Sequence, residues 1–190
     1  MARQDARDRL LERAVQFISQ RGLTDLSLRE LAAAIGTSHR MLIHHFGSKE
    51  GLWVEVIRAV EGQQRAALPA LVPDPTVDPS AAMRAWWAHI SDPSLWPNER
   101  LFFEIYGQAL QGRPGTTALL DGIVEEWLGP ITEINVAQGM DPETARAMGR
   151  LGIAVTRGLL LDLLATGDRE GTTAAIEAWI ALNEAALGRG

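Results

Sequence analysis

The 190-residue chain contains no cysteine. That excludes a disulfide framework, thiolate zinc sites, iron–sulfur clusters and cysteine nucleophiles. It has one lysine, Lys49, and one tyrosine, Tyr106. The β-branched alternation that marks strands is almost missing. No run approaches the roughly 20 apolar residues of a membrane span; the best stretch, Gly158 to Ala165, is short and carries Asp162. The opening residues, MARQDARDRL, lack the apolar run of a secretory leader. Also missing are a Gly-rich phosphate loop, an HExxH pair, a nucleophile elbow and carboxylates at a suggestive spacing. These absences lead us to expect a cytoplasmic, non-enzymatic protein with no membrane association and no cofactor.

Positive charge is scarce. Eighteen Lys and Arg against 24 Asp and Glu leave a net charge of −6. It is unevenly spread: residues 1–60 hold nine basic and seven acidic side chains, and the other 130 hold nine and seventeen, so balances of +2 and −8 make up the total. An anionic partner is therefore expected at the N-terminal end.

What the chain does have is helical patterning. Leu10, Leu11, Ala14, Val15, Phe17 and Ile18 recur at helical spacing, so residues 5–20 are predicted as a helix ending near Gly22. Ser27 with Glu30 three residues on is a capping box opening a helix over Leu28–Ile35 that stops at Gly36. Thr37 or Ser38 caps the next, Ser38–His45, which Gly47 ends. Ser48 then caps a helix running to about Ala67. Four prolines (Pro69, Pro73, Pro75, Pro79) read as a linker. Beyond it, Asp78-Pro79 starts a helix to about Ser91. Asp92-Pro93 starts another region reaching about Gln111, and residues 112–115 form a turn. Thr116–Gly139 reads as one long helix bent at Gly129-Pro130. Asp141-Pro142 opens a helix to about Thr166, residues 168–171 form a loop, and Thr172–Leu187 is the last helix. The fold class is all-α, with about nine helices and no strand.

The segment from Ser27 to Ser48 has helix-turn-helix spacing. At about 100° per residue, Leu42 points inward with Ser38 and Phe46 near the same side, against Leu28, Leu31 and Ile35. Arg40 and His44, at i and i+4, then share the outward face, flanked by His39 and Met41. Such a helix can enter a major groove, where Arg donates a bidentate pair to guanine and His or Ser makes single bonds to base edges. Spacing alone also fits a plain αα-corner. Lys49 sits in the first turn of a helix, where the macrodipole opposes a cation and an external anion would offset it. With Ser48 and the free backbone N–H groups it forms a phosphate clamp. His39, His44 and His45 make no i, i+4 pair, so no metal site is expected.

The stretch LSLRELAAAIGTSHRMLIHHFGSKEGL resembles the N-terminal signature of the TetR (tetracycline-repressor-like) family of transcriptional regulators. The resemblance lies in Leu28-Arg29-Glu30-Leu31-Ala32, Gly36, Ser38, Leu42, His45-Phe46, Ser48-Lys49-Glu50 and Leu52. It implies a helix-turn-helix DNA-binding domain over 1–60, running into the fourth helix, and a ligand-binding and dimerisation domain over 61–190. It also implies a homodimer that represses transcription until an effector binds, with Ser38–His45 as the recognition helix and Lys49 on the phosphate-contacting position. Where many members carry an aromatic phosphate contact, this chain has Ile43 and His44. Ser27, Arg29, Thr37, Ser38 and His39, with Arg40, Ile43, His44 and Lys49, are the expected DNA-facing residues, and a two-fold dimer implies a pseudo-palindromic operator. The alternative is a helical small-molecule-binding protein without sequence-specific DNA binding.

Aromatic residues cluster after the linker: Trp86, Trp87, Trp96, Phe102, Phe103, Tyr106 and Trp127. They read either as plain core or as the wall of an effector cavity. His89, Glu104 and Gln108 are the polar groups available to orient a ligand, although Glu104 can equally pair with Arg100 at i−4. Basic side chains are sparse there, so a small hydrophobic or amphipathic effector, neutral or cationic, is expected. Two apolar stripes close the chain. Met148, Leu151, Val155, Leu159 and Leu163 form one; Ile176, Trp179, Ile180 and Leu187 form the other. Gly149, Gly152 and Gly158 allow close helix approach, and the stripes are expected to meet a second copy.

Overall fold

A computed structural model describes residues 2–21, 26–71 and 78–186. Among these the chain forms nine α-helices and two 3-10 turns, with no strand. The helices are α1 (Ala2–Arg21), α2 (Leu28–Ala34), α3 (His39–Phe46), α4 (Lys49–Leu71), α5 (Pro79–Ile90), α6 (Trp96–Leu110), α7 (Glu125–Ala137), α8 (Pro142–Thr166) and α9 (Arg169–Ala186). The 3-10 turns are Pro93–Leu95 and Thr117–Leu120. Gly22, Pro73, Pro75 and Leu187, which entered the reading of helix ends, linker and stripe, lie outside the described residues.

The caps chosen from sequence form as read. The Ser27 hydroxyl accepts from the Glu30 N–H at 3.2 Å, and the Glu30 carboxylate accepts from the Ser27 N–H at 2.8 Å. Ser38 caps α3 by accepting from the Met41 N–H at 3.2 Å. Asp78 and Asp141 cap α5 and α8, each followed by proline in the first turn. Hydrogen bonding to Ser27 holds the Glu30 carboxyl below its ordinary value. Hydrogen bonding to Thr144 does the same for Asp141. Both contributions are complete above the ordinary carboxylate range and are lost as pH falls through the depressed values.

Three boundaries differ. Helix α4 continues past Pro69, because a proline in a last turn forfeits one hydrogen bond without interrupting a long ladder. The single helix expected over Thr116–Gly139 is broken: a 3-10 turn ends at Leu120, Gly122 takes φ +77°, and α7 begins at Glu125 with Pro130 inside it. The last helix starts at Arg169 rather than Thr172, since Asp168 already accepts from the Gly171 N–H at 2.8 Å.

The chain divides into two compact units. The first comprises residues 1–64 and 94–121, so a segment that the sequence reading assigns to the body packs with the N-terminal helices. Its core is built from Ala14 and Ile18 on α1, Leu31 on α2, Leu42 on α3, Leu52, Val56 and Ile57 on α4, and Leu101 and Ile105 on α6. Polar bonds fix α1 within it. Arg7 donates to Glu55 on α4 at 2.6 Å, and Ser19 and Asn98 on α6 exchange hydrogen bonds at 3.0–3.1 Å.

The second unit comprises residues 65–93 and 122–190. Leu68, Trp127, Leu128 and Ile153 form its buried centre, with Trp86 and Ile131 packed against them. Trp87 faces α9, donating its ring N–H to the Thr173 hydroxyl at 3.1 Å. Gly149 lets α7 approach α8, since a Cβ there would lie 3.1 Å from Leu128 and 3.2 Å from Ile131. One sequence assignment needs correcting here. Leu163, Ile176 and Ile180, placed in the dimer stripes, are 0, 1 and 3% exposed and belong to this unit's own core. Helical period identifies an apolar face but not whether the chain's own helices already cover it. No helix among the described residues is long and apolar enough to cross a membrane.

Candidate nucleic-acid interface

The turn between α2 and α3 is closed by backbone bonds. The Thr37 N–H donates to the Ala32 carbonyl at 2.8 Å, and Gly36, at φ +71°, supplies the left-handed residue that α2 needs to stop. From there α3 points its apolar side inward: Leu42 and Phe46 are buried, with Leu28, Leu31 and Ile35 buried on α2. Ser38, His39, Arg40, Met41 and His44 are exposed, and Thr37 and Ile43 are half-buried at the edges of that face. Ser27 and Arg29 at the start of α2 are exposed as well. The result is a short helix with a rigid back and a front of polar side chains carrying one guanidinium and two imidazoles.

Two bonds brace this front from α1. Arg13 donates to the Ile35 carbonyl at the end of α2 at 3.3 Å, and the Arg7 guanidinium lies over the Phe46 ring at 5.2 Å. The His44 and His45 rings meet edge-on at 5.2 Å. The His45 Nε2 is buried with no hydrogen-bond partner among the described residues. Among the described residues no group of three or more His, Asp or Glu is arranged to hold a metal ion.

Lys49 is exposed at the first turn of α4, behind Ser48, whose hydroxyl accepts from the Gly51 N–H at 2.9 Å. Its ammonium lies 5.9 Å from the centre of the Trp53 ring, a cation–π contact that parks the group without pairing it. Sequence reasoning missed Gly51. A Cβ there would collide with the Phe46 carbonyl oxygen, so any other residue at this position requires the α3–α4 junction to shift. The signal was a glycine inside the first turn of a helix, where propensity disfavours it. Arg7, Glu55 and Arg113 were also missed, because their partners are distant in sequence.

The aromatic residues proposed as an effector wall divide between the units. In the first, Phe102 is buried and stacks on Tyr106 at 5.4 Å, with Phe103 edge-on to it at 5.2 Å. Arg100 lies over Trp96 at 5.4 Å, and Glu104 accepts from Gln108 at 3.2 Å instead of pairing with Arg100. In the second, Trp86 sits 5.4 Å from Trp127 and 5.8 Å from His89, and Arg65 covers the Trp127 ring at 5.7 Å while bound to Glu126 at 2.6 Å.

Residues 10–56 match the family described as bacterial regulatory proteins, tetR family. The HTH-type transcriptional repressor NicS of Pseudomonas putida is 30% identical over 138 residues, 70% of this chain and 65% of that protein. The chain carries a TetR-type N-terminal segment. The chain spans just under two thirds of the length of NicS. A likeness in fold extends along nearly all of it: a transcriptional regulator from a Rhodococcus species superposes with a TM-score of 0.73 at 19% identity, covering 95% of this chain and 96% of that one. The multidrug binding protein EbrR is more similar in sequence. Its complex with imidazole gives 28% identity and a TM-score of 0.61, covering 92% of this chain and 87% of EbrR. Its complex with proflavin gives 26% and 0.62, covering 90% and 96%.

The capping box offers a direct measure of how firmly this TetR-type head is built. Ser27→Ala should lower stability by about 1 kcal/mol. For a chain of this size that is a drop of about 2–4 °C in a thermal melt near neutral pH. The difference should shrink in acid, as Glu30 protonates.

Proposed function

We propose that this chain is a TetR-family, ligand-responsive repressor that binds a pseudo-palindromic operator as a homodimer. Residues 1–60 engage DNA, and residues 61–190 carry effector binding and dimerisation. The observation that carries this reading is α3: an exposed face of Ser38, His39, Arg40 and His44 on a back anchored by Leu42 and Phe46, with Lys49 one turn on. Arg40 is the base reader, and Lys49 is the phosphate contact. Similarity to NicS, a repressor, supports the sign of the response.

For the effector we infer a small neutral or cationic aromatic compound. EbrR, at 26–28% identity, has been captured with imidazole and with proflavin. In the second unit Trp86, half-buried beside Trp127 and His89, offers a ring on which such a compound could stack. A ligand that prefers the DNA-incompetent state releases the operator through differential affinity alone, and a tenfold loss requires about 1.4 kcal/mol of coupling.

Selection of bound sequences from a random DNA pool tests the reading, and a palindromic consensus is expected. On that site Arg40→Ala should cost about 1–3 kcal/mol and relax discrimination at particular bases. Lys49→Ala should weaken all sequences alike and flatten the salt slope by about one unit per head. If both variants behave identically on specific and random DNA, Arg40 does not read bases. Proflavin titrated against the protein–operator complex should alter tryptophan emission and release DNA. Ligand binding without any salt-dependent DNA binding would favour a small-molecule-binding protein instead.

A further inference from the structure

The first unit holds a groove of about 150 Å³ lined by Lys49, Glu50 and Trp53 of α4, by Glu104 and Gln108 of α6, and by Arg113 of the turn that follows. That turn is held rigidly. The Arg113 N–H donates to the Gln108 carbonyl at 3.1 Å, and the Arg113 carbonyl accepts from both the N–H and the hydroxyl of the buried Thr116, at 3.2 and 2.8 Å. The turn is also seated on α4: a Cβ at Gly115 would lie 3.1 Å from the Glu50 Cβ and 3.3 Å from the Ser48 Oγ. The backbone of Arg113 is thus fixed beside the first turn of α4, while its side chain is more than half exposed.

Four charges meet in this groove. Glu104 is engaged by Gln108. Glu50 faces Arg113 at 3.6 Å, beyond the range of a formed hydrogen bond, so this is a loose ion pair. Lys49 rests against the Trp53 ring. Two cations therefore share one groove, one resting on a ring and one on a carboxylate that holds it weakly.

We propose that Arg113, outside the helix-turn-helix, is a second operator-phosphate contact beside Lys49, and that Glu50 competes with the phosphate for it. This rests on the DNA-binding reading above. A guanidinium exchanging a loose carboxylate for a phosphate gains a bidentate acceptor. Its pinned backbone means that little else has to be ordered when it does so.

The test uses the full-length chain and its selected operator, with affinity measured across a salt series. Arg113→Ala and Arg113→Gln should each flatten the salt slope by about 0.9 per head, the counterion release of one phosphate. Arg113→Lys, which keeps the charge, should retain most of the slope. Glu50→Gln should tighten low-salt binding about two- to fivefold, the range expected for removing a competing exposed ion pair. That gain should vanish in the Arg113→Ala background. If Arg113→Ala and Arg113→Gln keep the wild-type slope while Lys49→Ala flattens it, the proposal is overturned and the DNA-binding reading stands. If the wild-type chain shows no salt-dependent DNA binding, the DNA-binding reading falls and the proposal with it.

Discussion

Leu159→Arg is expected to separate the protein into monomers. On α8 the buried residues Ala145, Gly149, Ile153, Leu160 and Leu163 face the chain's own core. An adjacent flank carries Met148, Leu151, Val155 and Leu159, which stay half-buried or exposed, and Gly158, where nothing lies within 4 Å of an added Cβ. In the proposed dimer this flank meets its symmetry copy, so an arginine at 159 places two unpaired cations in one interface and should cost several kcal/mol of association. The monomer should tolerate the change, because at a half-exposed site the side chain can carry its charge to water. Loss of the second head should lower operator affinity by about 10²–10⁴-fold. Sedimentation at micromolar concentration measures the first effect and operator binding the second. Wild-type protein that sediments as a monomer would rule out this interface.

Gly51→Ala should have the next largest effect. The added methyl would collide with a backbone carbonyl, that of Phe46, and no rotamer change can move it aside. The junction between α3 and α4 must open instead. Overpacking of this kind costs about 1–3 kcal/mol, and here the upper end is expected because both partners are fixed by caps. The displacement falls between the recognition helix and Lys49, so operator affinity should drop along with the melting temperature, on specific and random DNA alike. A variant within about 0.5 kcal/mol of wild type, the scatter of neutral surface changes, would show that the contact is not restrictive.

These two positions differ in how far sequence could reveal them. The helix-turn-helix was legible because its signals are local. Ser27 with Glu30, Gly36, Ser38 and Gly47 each fix one backbone feature within four residues, and the structure places each where its chemistry requires. The outward side of α3 followed from the burial of Leu42 and Phe46 by the same periodicity. What failed was non-local. The stripe arithmetic put Leu163, Ile176 and Ile180 on an open face because it could not see α8 and α9 closing on each other. The aromatic residues were read as one cluster because they are near in sequence, yet Trp96–Tyr106 and Trp86–Trp87 with Trp127 belong to different compact units. Gly122 ended a predicted helix early because a positive φ leaves no mark beyond the glycine itself. Arg113 looked like an unremarkable loop residue until the turn around it was seen to rest on Ser48 and Glu50.

The seating of the only lysine over the Trp53 ring has a practical corollary. Apart from the chain's amino terminus, amine-directed chemistry finds a single address on this protein, and that address lies on the proposed phosphate contact. Acylation there deletes a cation without altering the backbone, reproducing Lys49→Ala by reagent rather than by gene. Once the adduct at the amino terminus is told apart, the rate at which the Lys49 adduct accumulates is a footprint of occupancy of the proposed operator that needs no label and no gel.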